Sequence, residues 1–405
     1  MKRNIDSAND LTGALQVDTS RLKRFSHLII CDDPSPHAGG IQNIAFHLAL
    51  QLEKRRLEVV VFGRISDPSL ENRGIGVFKL NKPFRSKFTS DFRLLSLLLR
   101  FRFRYGRNVI LYCMIINHLK VFRWVKPILG WNCVSFLHGN EVLRLYARGK
   151  RELDRNIRSC AVVFANSRYT KNVVERIRSY PNVVIVHPGI PVDSFGEQPG
   201  PGRPGTGGPD GRKTILMLSR IVRRKGHQTV IRALAGILSK HPEVVLMIAG
   251  QGRYRSAIEE MVEKAGLWEH VKMVGPVTEE EKWSLFGSSD VYCMPSEISE
   301  DRFDVEGFGI TLLEAAAMGV ISIGADCGGM PDAIEDGKSG FLIKPGDHTH
   351  LEKLLDRVLS NPEYFEEMRN YARERALRDF SWDRQADRLL TVLDATLFAG
   401  EDLAQ

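Results

Sequence analysis

The chain reads as an α/β protein built from two doubly wound, parallel-sheet domains in tandem. Three observations predict this. At 405 residues it is too long for one ordinary core, and its 43% apolar and 26% charged residues fit a soluble globular chain. Short apolar runs alternate with segments whose apolar residues recur at helical spacing. That alternation halts in a tract of glycine, proline and polar residues, 196–212, and then starts again.

Residues 1–23 are polar and carry acids, unlike a secretory signal, and residues 1–24 are expected to be a flexible extension. Residues 25–31 form an apolar run of the kind a buried parallel strand needs. Pro34, Pro36, Gly39 and Gly40 break it. From 41 to 53, Ile44, Leu48 and Leu52 recur at helical spacing, and 57–62 is again strand-like. Strand, glycine loop, helix and strand make a βαβ unit whose loop lies at the carboxyl end of the first strand. Further strands are expected at 109–114, 134–138, 161–165 and 183–187, completing a domain over 25–195. The tract 196–212 cannot bury a core and reads as a linker. Beyond it, strands at 214–218, 244–249, 271–274, 291–294 and 320–323 alternate with helices at 226–238, 255–265, 279–286 and 310–318, a second domain over 213–380. Loops at the carboxyl ends of the two sheets are expected to face each other across a ligand crevice.

The net charge of +8 hides an asymmetry. Residues 1–195 carry 32 Lys and Arg against 15 Asp and Glu, whereas residues 196–405 carry 25 against 34. The first half is built to meet something anionic: a nucleic acid, an anionic membrane face or a phosphorylated acceptor. No motif supports nucleic-acid readout. No apolar run is long enough to span a bilayer. The six cysteines show no paired spacing and read as reduced thiols of a cytosolic protein. Residues 82–107 set Arg93, Arg100, Arg102 and Arg104 among Phe92, Leu94, Leu98, Phe101 and Phe103. Such a helix either lies at a membrane interface or packs its apolar side inward and leaves the arginines in water.

The most informative stretch runs from Asp304 to Ala315, Asp-Val-Glu-Gly-Phe-Gly-Ile-Thr-Leu-Leu-Glu-Ala. Glu306 and Glu314 stand eight positions apart around a glycine-rich turn that enters a helix. Unpaired N–H groups in the first turn of a helix suit a diphosphate. The plain alternative is a common Gly-x-Gly turn and a solvated helix glutamate. Arg220 and Lys225 follow the first strand of the second domain, spaced to hold both ends of a diphosphate; alone they would read as a basic surface loop. Arg223 and Arg224 are read as that surface loop. His138, in His138-Gly139, ends a strand, where a lone histidine is more often structural. Gly39 and Gly40 open the first helix, either as a tight turn or with their amides near the donor phosphate or acceptor. His187 is read as part of an interdomain turn, and His227 and His241 as surface residues.

Taken together, Leu218–Gly226, Ile248-Ala249-Gly250-Gln251-Gly252, the Glu306/Glu314 block and Gly328-Gly329-Met330-Pro331 resemble the donor loops of family-4 retaining glycosyltransferases of the GT-B fold, over about residues 25–395. Gly39-Gly40-Ile41-Gln42 and Asp304–Gly307 resemble the bacterial mannosyltransferase branch that includes phosphatidylinositol mannosyltransferases. The resemblance implies two Rossmann-like domains facing across a cleft and a final helix, 381–405, crossing back to the first domain. It implies that Arg220 and Lys225 stabilise the leaving diphosphate, with the N–H groups of Gly307, Phe308, Gly309 and Ile310 completing the cradle. It implies that Glu306 contacts hydroxyls of the donor sugar, that Glu314 binds the ribose, and that His138 lies near the sugar. Gly252 and Val277 are expected to border the nucleobase. The family's route is same-face attack without a protein nucleophile.

The expected function is therefore hexosyl transfer, with GDP-mannose as donor, or else a UDP-hexose or UDP-N-acetylhexosamine, to a glycan or lipid-linked sugar. A non-catalytic sugar-nucleotide-binding regulator is the alternative of a different class. No metal or other cofactor is expected, since no Asp-x-Asp or His cluster lies near these loops. The expected location is cytoplasmic, with peripheral attachment to the inner face of the membrane.

Overall fold

The computed structural model describes residues 18–31, 39–63, 68–79, 87–192, 211–298 and 303–399. The loop from Asp32 to Ala38, the linker at 193–210 and most of the N-terminal extension lie outside these residues. The chain divides into two compact units, one of Met1–Gly189 with Trp382–Gln405 and the other of Ile190–Ser381.

The first unit holds β1 (Ser26–Ile30), α1 (Gly40–Lys54), β2 (Glu58–Gly63), α2 (Pro68–Asn72) and β3 (Gly76–Lys79). It continues with α3 (Lys87–Tyr105), β4 (Val109–Cys113), α4 (Leu119–Leu129), β5 (Asn132–Leu137) and α5 (Asn140–Ser159). It then runs through β6 (Val162–Ala165), α6 (Arg168–Glu175) and β7 (Val183–Ile185). All described pairings in its sheet are parallel, in the order β3-β2-β1-β4-β5-β6-β7.

The second unit holds β8 (Thr214–Leu218), α7 (His227–Ile237), β9 (Val245–Ala249), α8 (Arg255–Lys264) and β10 (Val271–Gly275). It continues with α9 (Glu279–Gly287), β11 (Val291–Met294), α10 (Ile310–Ala317), β12 (Ile321–Ala325), α11 (Met330–Ala333) and β13 (Phe341–Ile343). It closes with α12 (His348–Ser360) and α13 (Glu366–Asp379). Its sheet is also parallel, in the order β10-β9-β8-β11-β12-β13. A last helix, α14 (Trp382–Leu397), belongs to the first unit.

Strands buried on both faces explain why their sequences read as continuous apolar runs instead of alternating ones. All five residues of β4 and all five of β12 are buried. In each sheet the order reverses once, between β1 and β4 and between β8 and β11. Loops beyond the carboxyl ends of the strands diverge there, which is where doubly wound sheets bind ligands. The helix α14 is held to α1 by Arg55, whose guanidinium reaches Asp387 at 2.6 Å, and by Lys54 on Asp383 at 2.9 Å. Trp382 stacks on His47, with ring centroids 5.2 Å apart. Residues 18–24 are packed, not loose: Leu22 is fully buried, and Arg21 pairs with Asp394 and lies over Phe398.

The apolar, arginine-bearing segment forms α3 and packs part of its apolar side inward. Leu94, Leu98 and Phe101 enter the core of the first unit. Phe92 and Phe103 remain 67% and 92% exposed, and on the neighbouring α4 Trp124 and Ile128 are 77% and 62% exposed. The side chain of Arg93 is outside the described residues. All six cysteines are buried. No described helix is long and apolar enough to cross a membrane.

Candidate active site

The loops at the switch point of the second unit bring together most of the candidate site residues. After β8, Arg220 and Arg223 are exposed while Ile221 between them is buried, and the chain makes a single turn over Arg223–Lys225. Gly226 ends that turn at φ 75°, and a Cβ there would stand 2.1 Å from the Pro295 carbonyl oxygen beyond β11. Only glycine allows the loops after β8 and β11 to close so tightly. The closure turns Arg224 and Lys225 inward. Arg224 is therefore not part of a basic surface, which corrects the sequence-based expectation; it is buried.

Both cations meet Glu306. Lys225 Nζ lies 2.6 Å from Glu306 Oε2, and Arg224 Nη1 donates to the same oxygen. Arg224 Nε lies 2.8 Å from Asp304 Oδ1. Burial opposes ionisation of Glu306, but the Lys225 ammonium and the Arg224 guanidinium outweigh it and hold its carboxyl at about 2. Burial also pushes the Lys225 ammonium below its ordinary range, against the pull of Glu306 and with Arg224 and Arg220 acting the same way. Arg220 itself lies exposed at the rim of the cluster.

The turn after Glu306 is clamped from the other side. Gly329 N–H donates to the Glu306 carbonyl at 2.9 Å, and a Cβ on Gly329 would stand 2.0 Å from the Gly307 carbonyl oxygen. The Gly328-Gly329-Met330-Pro331 motif thus supports the loop that carries Glu306. Gly309 is the N-cap of α10 and makes no side-chain cap bond; the Leu312 N–H turns back to the Gly309 carbonyl at 3.0 Å, which leaves the amides of Ile310 and Thr311 to face an anion. The Phe308 side chain packs in the core near Phe380, leaving only its backbone to serve a ligand. Ile310 is half-buried at the start of the helix.

Glu314 is buried, and its Oε1 accepts from Lys282 Nζ at 2.9 Å. Burial pushes its carboxyl above the ordinary range despite Lys282. Lys282 also reaches Glu279 at 2.6 Å and lies 4.0 Å over the Trp283 ring. Sequence reasoning passed over Lys282. The available signal was Thr278-x-x-Glu281, which caps α9 with a reciprocal capping box and fixes where Lys282 emerges. Val277 precedes that cap, half-buried. Gly252 lies against Ile221, where a Cβ would stand 2.2 Å from the carbonyl oxygen; it lets the loop after β9 lie flush on the Arg220 loop.

In the first unit, His138 follows β5 at the turn into α5. Its Nε2 lies 2.8 Å from the Met114 carbonyl, which fixes that nitrogen as the N–H donor and leaves Nδ1 as an acceptor. Burial lowers its pKa, against the raising effects of Glu141 and the Met114 carbonyl, so the ring works neutral. His138 lines a small, mainly apolar pocket with Phe136, Asn166 and His187. His187 Nδ1 lies 3.0 Å from the Asn166 carbonyl. Gly39 and Gly40 start α1, and Gly39, at φ 148°, makes no side-chain cap.

Two histidines expected at the surface are buried. His227 is fully enclosed at the start of α7, and His241 packs 3.0 Å from Asp356. His227 follows the basic run Arg223–Lys225, whose local polarity concealed its burial. Among the described residues, no group of three His, Cys, Asp or Glu side chains stands close enough to hold a metal ion.

Two family models match the chain: "Glycosyltransferase Family 4" over residues 38–194 and "Glycosyl transferases group 1" over residues 203–375. A GDP-mannose-dependent alpha-(1-6)-phosphatidylinositol monomannoside mannosyltransferase of Mycolicibacterium smegmatis is 31% identical over 270 residues, 64% of this chain and 69% of that protein. Among solved structures, sucrose-phosphate synthase of Thermosynechococcus elongatus superposes with a TM-score of 0.78 at 20% identity, covering 93% of this chain and 99% of that one. Anabaena HepE in complex with UDP superposes with a TM-score of 0.74 at 18% identity, covering 92% and 100%. Both share the two-sheet, GT-B arrangement of fold.

Proposed function

Because the chain belongs to the family-4 glycosyltransferases, we propose that it is a retaining mannosyltransferase that takes mannose from GDP-mannose and passes it to a glycolipid acceptor. The observation that carries this reading is the Lys225–Glu306 cluster beside the open first turn of α10. It offers fixed positive charge and backbone donors to a diphosphate, next to an ionised carboxylate suited to sugar hydroxyls. The mannosyl donor and the lipid acceptor are supported by the name of the mycobacterial relative. A UDP-sugar donor is the second reading, favoured by the UDP complex of the HepE neighbour.

In the proposed step, the acceptor hydroxyl oxygen forms a bond to the anomeric carbon on the face that the phosphate leaves. The bond from that carbon to the β-phosphate oxygen breaks, and the departing diphosphate takes the acceptor proton. Arg220, Lys225 and the α10 amides stabilise the negative charge that grows on the leaving group. Glu306 Oε1 accepts hydroxyl protons of the bound sugar, and Glu314 accepts from the ribose diol. These cations take the place of a divalent metal, so turnover is expected to survive excess EDTA.

We extend the reading to a site of action at an anionic membrane face in the cytoplasm. It is supported by the charge of residues 1–195 and by the exposed Phe103, Trp124 and Ile128 beside exposed Arg100, Arg104, Lys120 and Lys126.

A thermal-shift screen against GDP, UDP, GDP-mannose and UDP-hexoses tests the donor, since a specific ligand raises the melting temperature by mass action. GDP and GDP-mannose should stabilise the protein most. Stabilisation by uridine nucleotides alone overturns the guanosine assignment. NMR of the anomeric proton during transfer tests the stereochemistry, and an inverted product overturns the retaining route.

A further inference from the structure

Glu306 receives two cations on one oxygen. Lys225 Nζ, at 2.6 Å, and Arg224 Nη1 both meet Oε2. They are not equivalent. Lys225 divides its ammonium between Glu306 and Met294 Sδ, at 3.2 Å, and is the cation the proposed reaction assigns to the diphosphate. Arg224 is tied down on three sides. Its Nε holds Asp304 Oδ1 at 2.8 Å, its Nη1 holds Glu306, and its own carbonyl accepts the Glu297 N–H at 2.7 Å. Two cations and two carboxylates thus balance in one mostly buried cluster.

A lysine on a flexible stem can change partners, whereas a guanidinium held by two carboxylates keeps its plane. We propose that Arg224 is a positioning residue: strapped to Asp304, it keeps Glu306 ionised and fixed while Lys225 turns to the donor diphosphate. The inference rests on the glycosyl-transfer reading given above. It deepens that reading by dividing the two adjacent cations between the two ends of the donor, the lysine to the phosphate and the arginine, through Glu306, to the sugar.

The groups around Glu306 leave few other titrations to confuse the test. From β11 comes the Tyr292 hydroxyl, and after β12 the Cys327 thiol. Burial pushes both up, the thiol to about 12, so neither ionises at working pH. Asp304 lies on the same segment, Glu297 beyond β11, Asp326 beside Cys327, and Arg220 behind Lys225. With both cations present the Glu306 carboxyl sits at about 2. Without Arg224, and with Lys225 drawn to phosphate, it should rise toward the ordinary carboxylate range.

The test compares Arg224→Gln, Arg224→Lys and Asp304→Asn in the full chain. GDP binding is measured by calorimetry, and kcat with GDP-mannose is measured from pH 4 to 8. For Arg224→Gln the expected result is GDP affinity within about threefold of wild type. Its kcat at pH 7 should be roughly 10- to 100-fold lower, and an acid limb that the wild type does not show in this range should appear at about pH 4 to 5. Arg224→Lys should recover most of kcat, and Asp304→Asn should fall between. A parallel loss of GDP affinity overturns the proposal, because Arg224 would then touch the phosphate itself. A folded Arg224→Gln protein with unchanged kcat and no such limb overturns it too. If that variant does not fold, the pair Arg224→Gln with Asp304→Asn removes one cation and one anion together; it should lose kcat in the same way, and normal kcat in the pair overturns the proposal. A wild type that binds no nucleotide diphosphate and turns over no nucleotide sugar sinks the glycosyl-transfer reading itself, a result distinct from any variant outcome.

Discussion

At the scale of single residues, the proposed roles separate charge for phosphate from charge for sugar. Lys225 is held on Glu306, Arg220 is exposed and acts electrostatically on Lys225, and the proposal gives both to the diphosphate. Replacing either by alanine should lower kcat/KM by about 10²-fold, the scale for losing one such donor. Steady-state kinetics showing near-normal turnover in both variants would remove them from the phosphate site. Glu314 behaves differently, because it faces Lys282 in a buried pair. Glu314→Gln should weaken binding of the free nucleotide diphosphate, whereas Glu306→Gln should spare that binding and damage transfer. Calorimetry with the opposite pattern would exchange the two roles. Arg220 and Lys225 were legible because they follow a strand and lead into Gly226, and Glu306 and Glu314 because they flank a glycine turn that enters a helix. Arg224 was not: in the sequence it is one of three consecutive basic residues, and only the contact of Gly226 with Pro295 turns it inward.

At the scale of elements, close approach between loops decides whether the site exists. Gly226→Ala combines a left-handed backbone with a Cβ 2.1 Å from a carbonyl oxygen and should cost about 2–5 kcal/mol. Gly346→Ala is the control: its φ of 79° is also left-handed, but a Cβ there meets nothing within 4 Å, so about 1 kcal/mol is expected. Equal melting temperatures for the two variants would mean that the turn relaxes freely. The α3–α4 face poses a different question. Each exposed basic residue near an anionic surface contributes roughly 1 kcal/mol. The protein should co-sediment with vesicles of anionic lipid at low salt and be released as salt rises. Replacing Arg93, Arg100, Arg102 and Arg104 by Gln, or Trp124 by Ala, should weaken that association without altering GDP binding. Indifference of the wild type to such vesicles would assign the basic face to a soluble, phosphorylated acceptor. Half of α3 was readable from sequence, since helical spacing showed an apolar side; how many of its apolar residues the core would take was not, because that depends on the sheet beneath.

At the scale of the molecule, stability should fall in two stages on acidification. Burial holds His27 and His227 near 4, well below the ordinary imidazole value. The unfolded chain therefore takes up their protons first, and folded stability drops as pH falls from about 6.5 to 4. Each should account for roughly 3 kcal/mol by the lower limit. Glu306 has the same sign in a lower pH range. Its depressed carboxyl contributes stability above about 4.5 that is lost as pH falls toward 2. Thermal unfolding followed by circular dichroism between pH 4 and 8 should show the first stage, and His227→Leu should flatten it. A melting temperature independent of pH over that range would mean that the two rings are reached by water.

What the sequence by itself determined is the architecture: two parallel sheets, a break between them, and glycine loops at the strand ends. Apolar runs, helical periodicity and glycine spacing are local signals, and each survives in a linear string. The strands β3 and β13 and the helices α2, α4, α5, α6, α11, α12 and α13 escaped; a strand of three or four residues carries almost no periodicity, and β6, β7 and β11, equally short, were legible only as apolar runs. Only the tertiary structure decided which charges are buried. Arg224 and Arg223 are neighbours of identical type, yet one is enclosed between Asp304 and Glu306 and the other faces water. The partners of Arg224 lie some eighty positions away in the chain. The cost or gain of a charge depends on what surrounds it, and those surroundings form only when the loops after β8 and β11 meet.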